Sequence, residues 1–153
     1  MKFREWLEEL EYDVISGNLD IEVEDVIYDS RKARENVVFV CTKGTKIDSH
    51  EFIPDVVKAG VKALVVERQA EIPDGVTAIR VHSSREALAL LSAARFGRPQ
   101  EKMITIGVTG TKGKTTTTHM IKAILESCGK KVGMIGTTGI VIAERTVQSG
   151  MDF

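Results

Sequence analysis

Glycines interleaved with lysine and hydroxyl residues mark the stretch of this chain whose residue types could do phosphate chemistry. It runs Gly107-Val108-Thr109-Gly110-Thr111-Lys112-Gly113-Lys114-Thr115-Thr116-Thr117. Glycines let a backbone turn sharply and bring its N–H groups onto a polyphosphate. A helix starting at the end of such a turn adds about half a positive charge at its N-terminus. In that arrangement Gly110 to Thr116 cradle the phosphates of a nucleoside triphosphate, Lys114 reaches the outer phosphates, and the Thr115 hydroxyl ligates Mg²⁺. Thr116 supports the phosphate contacts. The common spacing of a phosphate loop needs its first glycine at position 108, where this chain has Val108. The loop is therefore a variant, and the bland alternative is a glycine-rich turn with no ligand. A lysine added to an already positive helix N-terminus argues against that alternative.

Other polar residues are weaker candidates. Tyr28-Asp29-Ser30-Arg31 and Gly44-Thr45-Lys46-Ile47 each have the composition of an ordinary surface turn. His50, His82 and His119 have no paired nucleophile nearby in sequence, so structural or surface roles are expected of them. Cys41 and Cys128 match no metal spacing and read as small buried hydrophobes.

The elements that must position these residues alternate between strand and helix. Phe3, Trp6, Leu7 and Leu10 repeat at helical spacing and predict a short amphipathic helix. Val26–Tyr28, Val37–Cys41, Ala63–Val66 and Ala78–Val81 are β-branched runs that predict strands. Asp48 or Ser49 caps a predicted helix through Ala59 that Gly60 ends. Ser83 and Glu86 have capping-box spacing for a helix from Ser84 to about Phe96. The alternation predicts an α/β fold with βαβ units. Gly, Pro and charge then cluster in Phe96-Gly-Arg-Pro-Gln-Glu-Lys102, placing a domain boundary near residue 98. Residues 1–98 form the first expected domain. Residues 99–153 are a linker and the start of a second: strand Met103–Val108, the loop, helix Thr115–Cys128, and strand Val132–Ile135.

Composition limits the function classes. The 153 residues are 42% hydrophobic and 28% charged, the balance of a folded globular chain. Lysine and arginine number 21, aspartate and glutamate 22, for a net charge of −1. No basic footprint for nucleic acid appears. Charges interrupt the N-terminal apolar residues, so no signal peptide or membrane insertion is expected, and the cysteine usage suits a reduced cytoplasmic protein.

Thr109-Gly-Thr-Lys-Gly-Lys-Thr-Thr-Thr117 closely resembles the ATP loop of the Mur ligases, the ATP-dependent amide-forming enzymes of peptidoglycan synthesis. Members commonly carry Asn at the position of Lys112. Folylpolyglutamate synthases share a related loop, but the Thr115-Thr-Thr run fits the Mur branch better. In the first domain, Tyr28-Asp-Ser-Arg31, Val38–Cys41, Gly44, Asp48–Ile53 and Ala63–Glu67 occur in the order seen in the UDP-binding domain of the Mur ligases that add the third residue of the peptide stem.

The resemblance implies an N-terminal UDP-binding α/β domain followed by the first strand, phosphate loop, helix and strand of a central ATPase domain. It implies UDP-MurNAc-L-Ala-D-Glu and ATP as substrates, with meso-diaminopimelate or L-lysine joined through an acyl phosphate. Ser30 contacts the UDP-sugar, and Tyr28, Thr45, Lys46 and Ile47 line the uridine site. Lys114 acts on the transferring phosphoryl group. The family's downstream metal carboxylate, carbamylated lysine, Thr-Thr-Pro motif and amino-acid-binding domain have no counterpart here. A ligase fragment, inactive alone and loosely packed in its second unit, is therefore expected. The alternatives are a stand-alone nucleotide-binding or interaction module, a folylpolyglutamate-synthase-like ligase, and an unrelated phosphotransferase.

Overall fold

A computed structural model of the chain describes residues 1–44 and 47–142, and the backbone of 145–147. Two compact units are present, Met1–Ile104 and Thr105–Phe153. The first is a five-stranded sheet between helical layers. Its strands are β1 (Tyr12–Ser16), β2 (Asp25–Ile27), β3 (Val37–Val40), β4 (Ala63–Val66) and β5 (Thr77–Val81). They lie in the order β1-β5-β4-β3-β2. β2 to β5 are mutually parallel, and β1 pairs antiparallel with β5 at one edge.

The central strands are buried on both faces, which is why they read as unbroken apolar runs rather than alternating ones. Their side chains sort by parity. Val38, Val40, Ala63, Val65, Ile79 and Val81 face a core completed by Phe3, Trp6 and Leu91. Those come from α1 (Phe3–Trp6) and α3 (Ser84–Arg95). Val37, Phe39, Leu64, Val66 and Ala78 face the other core, closed by Ile53 and Val56 of α2 (Ile53–Lys58). Ser83 caps α3, its side chain accepting the Glu86 N–H at 3.3 Å.

Several expectations need correction. α1 covers a single turn; Leu7 and Leu10 follow it in hydrogen-bonded turns while still facing the core. The predicted helix from Asp48 begins as a 3-10 turn, Ser49–Phe52, before α2. The edge strand β1 carries only a weak sequence signal, because its three central residues, Asp13, Val14 and Ile15, are exposed and Asp13 and Ser16 flank a two-residue apolar run.

The second unit holds α4 (Lys114–Ser127) and a three-stranded antiparallel sheet of β6 (Gly133–Gly136), β7 (Gly139–Ile142) and β8 (Arg145–Val147). β6 was expected to continue a βαβ unit; instead Gly136 pairs with Gly139 across a two-residue turn, Thr137-Thr138. Gly139 at φ 104° supplies the left-handed backbone there. The predicted strand Met103–Val108 joins no ladder among the described residues. A strand needs a neighbour for its N–H and C=O groups, and none is described beside it. Met134 is the one buried hydrophobic residue described in this unit, while Ile106, Met120, Ile124 and Ile135 are exposed. Cys41 is buried as expected, its thiol pushed up to about 12 by burial. Cys128 is exposed at the end of α4, contrary to the buried reading.

Candidate functional site

Two sites are built, one in each unit. In the first, four parallel strands put their exits along one sheet edge. Ligands of open α/β sheets bind at that carboxyl edge. The exits are Tyr28–Ser30 after β2, Thr42–Asp48 after β3, Glu67–Arg68 after β4 and His82–Ser83 after β5. The residues that the resemblance implies, Tyr28, Ser30 and Ile47, all fall on this edge, in the segments that follow the adjacent strands β2 and β3. Tyr28 and Ile47 are exposed, at 53% and 60%. Thr45 and Lys46 lie outside the described residues.

The Asp29-Ser30-Arg31 turn partitions its polar groups. The Asp29 side chain accepts the Arg31 N–H at 3.0 Å, capping a 3-10 turn over Ser30–Lys32. The Arg31 guanidinium donates back to the same carboxylate, Nε at 2.9 Å and Nη2 at 2.7 Å. That hydrogen-bonded guanidinium holds the Asp29 carboxyl down at about 2. Two of the three motif residues thus satisfy one another, as in an ordinary polar turn. The Ser30 hydroxyl has no hydrogen bond among the described residues and is the group left to meet a ligand.

Beside this turn the β3 exit loop is closed at its base. Gly44 N–H donates to the Ile47 carbonyl at 2.9 Å and Ser49 N–H to the Thr42 carbonyl at 3.1 Å. Asp48 caps the following 3-10 turn and also binds Arg68. Partial burial works against the charge on Asp48, but the His50 N–H, the His50 ring and Arg68 outweigh it and bring the carboxyl to about 2. In the sequence alone His50 has no evident partner. The Asp48-x-His50 spacing was the available signal, since an Asx turn brings residues i and i+2 together.

In the second unit the phosphate-loop residues come together. Gly110 (φ 151°) and Gly113 (φ 79°) occupy backbone regions that side chains rarely adopt. A Cβ on Gly113 would meet nothing within 4 Å, so the turn is open on that side. The first hydrogen bond of α4 runs from Thr117 N–H to the Gly113 carbonyl at 2.9 Å. The N–H groups of Lys114, Thr115 and Thr116 precede it and have no helical acceptor. Lys114 Nζ donates to the Gly110 carbonyl at 2.5 Å. Gly110 to Thr117 are all exposed, including Thr111, Lys112 and the Thr115 and Thr116 side chains. Orphan N–H donors, an open glycine turn and a lysine folded across it fit a polyphosphate. The Thr115 hydroxyl, exposed at the start of α4, fits a Mg²⁺ carried by that phosphate; no cluster of metal-ligating side chains occurs among the described residues. His119 Nδ1 lies 2.9 Å from the Thr115 carbonyl, so it packs on its own helix.

A mixed α/β fold with an open sheet edge and a variant phosphate loop fit the class of nucleotide-binding α/β proteins, and comparison with known proteins gives the family. The model for the Mur ligase family, catalytic domain, matches residues 22–96, and that for the Mur ligase middle domain matches residues 108–152. The chain belongs to the Mur ligase family. It is 42% identical over 149 residues to the UDP-N-acetylmuramoyl-L-alanyl-D-glutamate–2,6-diaminopimelate ligase of Clostridium perfringens, covering 97% of this chain and 31% of that one. It is 40% identical to the enzyme of the same name from Syntrophomonas wolfei, covering 94% of this chain and 29% of the other.

Among solved structures, a MurF from Acinetobacter baumannii aligns at a TM-score of 0.59 and 27% identity, covering 90% of this chain and 30% of its own. The MurF ligase from Thermotoga maritima in complex with ADP aligns at 0.51 and 32% identity, covering 71% of this chain and 24% of its own. The chain thus spans about a third of the length of the curated relatives it matches. Among the described residues no helix is long and apolar enough to cross a membrane.

Proposed function

We propose that this chain is the nucleotide-sugar-binding unit and the start of the ATP-binding unit of a ligase that adds the third residue to UDP-MurNAc-L-Ala-D-Glu. The observation that carries the reading is the pairing of two sites in one chain. One is a parallel-sheet edge with a free Ser30 hydroxyl; the other is an open phosphate loop with orphan N–H groups. The relatives that match across both sites are named as 2,6-diaminopimelate ligases, which favours diaminopimelate over lysine as the incoming amino acid.

In this reading Tyr28, Ser30, Thr45, Lys46 and Ile47 hold the UDP moiety. Backbone N–H groups from Gly110 to Thr116 hold the ATP phosphates, with Lys112 beside them. Mg²⁺ on the Thr115 hydroxyl would neutralise phosphate charge. A D-Glu carboxylate oxygen attacks the γ-phosphorus, and ADP leaves. Lys114 stabilises the charge on the transferring group. The amine then attacks the acyl carbon, phosphate leaves, and the nitrogen loses its proton to give the amide. Residues outside this chain supply the amino-acid site, and the reaction belongs in the cytoplasm, where its nucleotide substrates are found. The test is titration of UDP-MurNAc-L-Ala-D-Glu into this chain, followed by amide NMR. Shifts centred on Tyr28, Ser30 and Ile47 are expected; an unchanged spectrum contradicts the assignment.

A further inference from the structure

The exits of β3 and β4 are joined by a chain of polar contacts that the roles above do not use. His50 is 6% exposed. Its Nε2 accepts the Glu67 backbone N–H at 3.2 Å, and its Nδ1 lies 2.5 Å from Asp48 Oδ1. The first contact requires a lone pair on Nε2, so the ring proton sits on Nδ1 and is donated to Asp48. Asp48 also accepts the His50 N–H at 3.1 Å, and the Arg68 Nε and Nη2 at 3.2 and 3.1 Å. The Glu67 carboxylate accepts the N–H of Ser84, the first residue of α3, at 2.6 Å. One unbroken path therefore runs from the β3 exit loop through His50 to the β4 exit and the start of α3.

A buried imidazole is a costly way to fill space. An aliphatic side chain packs there without two polar atoms to satisfy. What the imidazole supplies is direction: both nitrogens are paired, and Asp48 is held from three sides. Asp48 is also the closing residue of the loop, bridging to Lys43 where the loop begins.

We propose that His50 and Asp48 are positioning residues for the uridine nucleotide, fixing the base of the β3 exit, Thr42–Gly44 and Ile47–Ser49, on the carboxyl edge beside the Tyr28–Ser30 exit of β2. The proposal rests on the reading of that edge as the uridine site. Neither residue need touch the ligand; they set the orientation in which Gly44 and Ile47 are presented to it.

The test is calorimetric titration of UDP into this chain, alongside thermal melts of each variant. His50→Ala removes both contacts. His50→Asn keeps a donor near the Nδ1 position, toward Asp48. Arg68→Gln cuts one hold on Asp48 at an exposed side chain and leaves the core untouched. UDP affinity should fall about tenfold in His50→Ala and severalfold in Arg68→Gln, and recover to within about threefold of wild type in His50→Asn. Wild-type affinity in Arg68→Gln and His50→Ala overturns the proposal. So does an affinity loss that merely follows melting temperature across all variants. If His50→Ala does not fold, Arg68→Gln and His50→Asn decide the matter, with loss in the first and retention in the second expected. A wild-type chain that binds no UDP overturns the uridine-site reading itself, a result distinct from binding that the variants leave unchanged.

Discussion

Lys114 Nζ donates to the carbonyl oxygen of Gly110 at 2.5 Å, so the lysine closes across the turn of its own loop. On the proposed reading, ATP draws the ammonium off that carbonyl and onto its phosphate oxygens. The exchange is favourable because a phosphate carries full negative charge where a carbonyl carries a partial one.

Replacing Lys114 should therefore spare the fold and remove phosphoryl transfer. Lys114→Ala in the ligase carrying this chain is expected to lower ATP-dependent amide formation by about 10²-fold or more. Melting of the 153-residue chain should change little, because the side chain is exposed. Assaying ADP release with the UDP-sugar dipeptide and amino acid present checks this. Near-normal release would remove Lys114 from the reaction.

Ser30→Ala tests the other site. The hydroxyl supports nothing within the described fold, so its loss should leave stability within about 0.5 kcal/mol of wild type. Binding of UDP-MurNAc-L-Ala-D-Glu should weaken by about five- to tenfold, the loss of roughly one hydrogen bond. Calorimetry reads the binding and urea titration the stability. Unchanged affinity would leave Ser30 as a plain turn residue.

Acid should act on the loop base through Asp48. A carboxyl held below its ordinary value stabilises the fold above its unfolded value of 3.8, and that contribution is lost as pH falls through about 2. Asp48→Asn is expected to be less stable than wild type at neutral pH. The gap should narrow below about pH 4 and close near pH 2. Urea unfolding at several pH values measures it; a gap independent of pH would mean that the charge of Asp48 contributes nothing.

The parallel core was legible because strands buried on both faces print themselves as unbroken apolar runs: Val37–Val40 and Ala63–Val66 need no context to be recognised. β1 was not, since an exposed edge strand whose apolar run is only Val14-Ile15, between Asp13 and Ser16, displays no buried pattern. The β6–β7 hairpin was hidden for another reason. Its turn is Thr137-Thr138, outside the usual Asn, Asp and Gly pairs, and the left-handed glycine sits one position later, at Gly139. At the sites, the phosphate loop was visible because glycine and lysine spacing is local. The Asp48–His50–Glu67 path was not, because Glu67 joins it only through strand adjacency across the sheet.

The apolar weight of the first unit should make it sensitive to core deletion. Leu91, fully buried on α3, packs against the sheet face that includes Val38 and Ile79. Leu91→Ala is expected to cost about 2–5 kcal/mol in urea unfolding monitored through Trp6 fluorescence. A cost below about 1 kcal/mol would mean that the helix layer is not packed as described.

The most direct test of the whole account is amide formation by the full-length ligase carrying this chain, given UDP-MurNAc-L-Ala-D-Glu, ATP and meso-diaminopimelate. A UDP-MurNAc-tripeptide should form in step with ADP and be abolished by Lys114→Ala, while the 153-residue chain alone releases no ADP. ADP release without the UDP-sugar dipeptide, or no tripeptide with any amino acid, would contradict it.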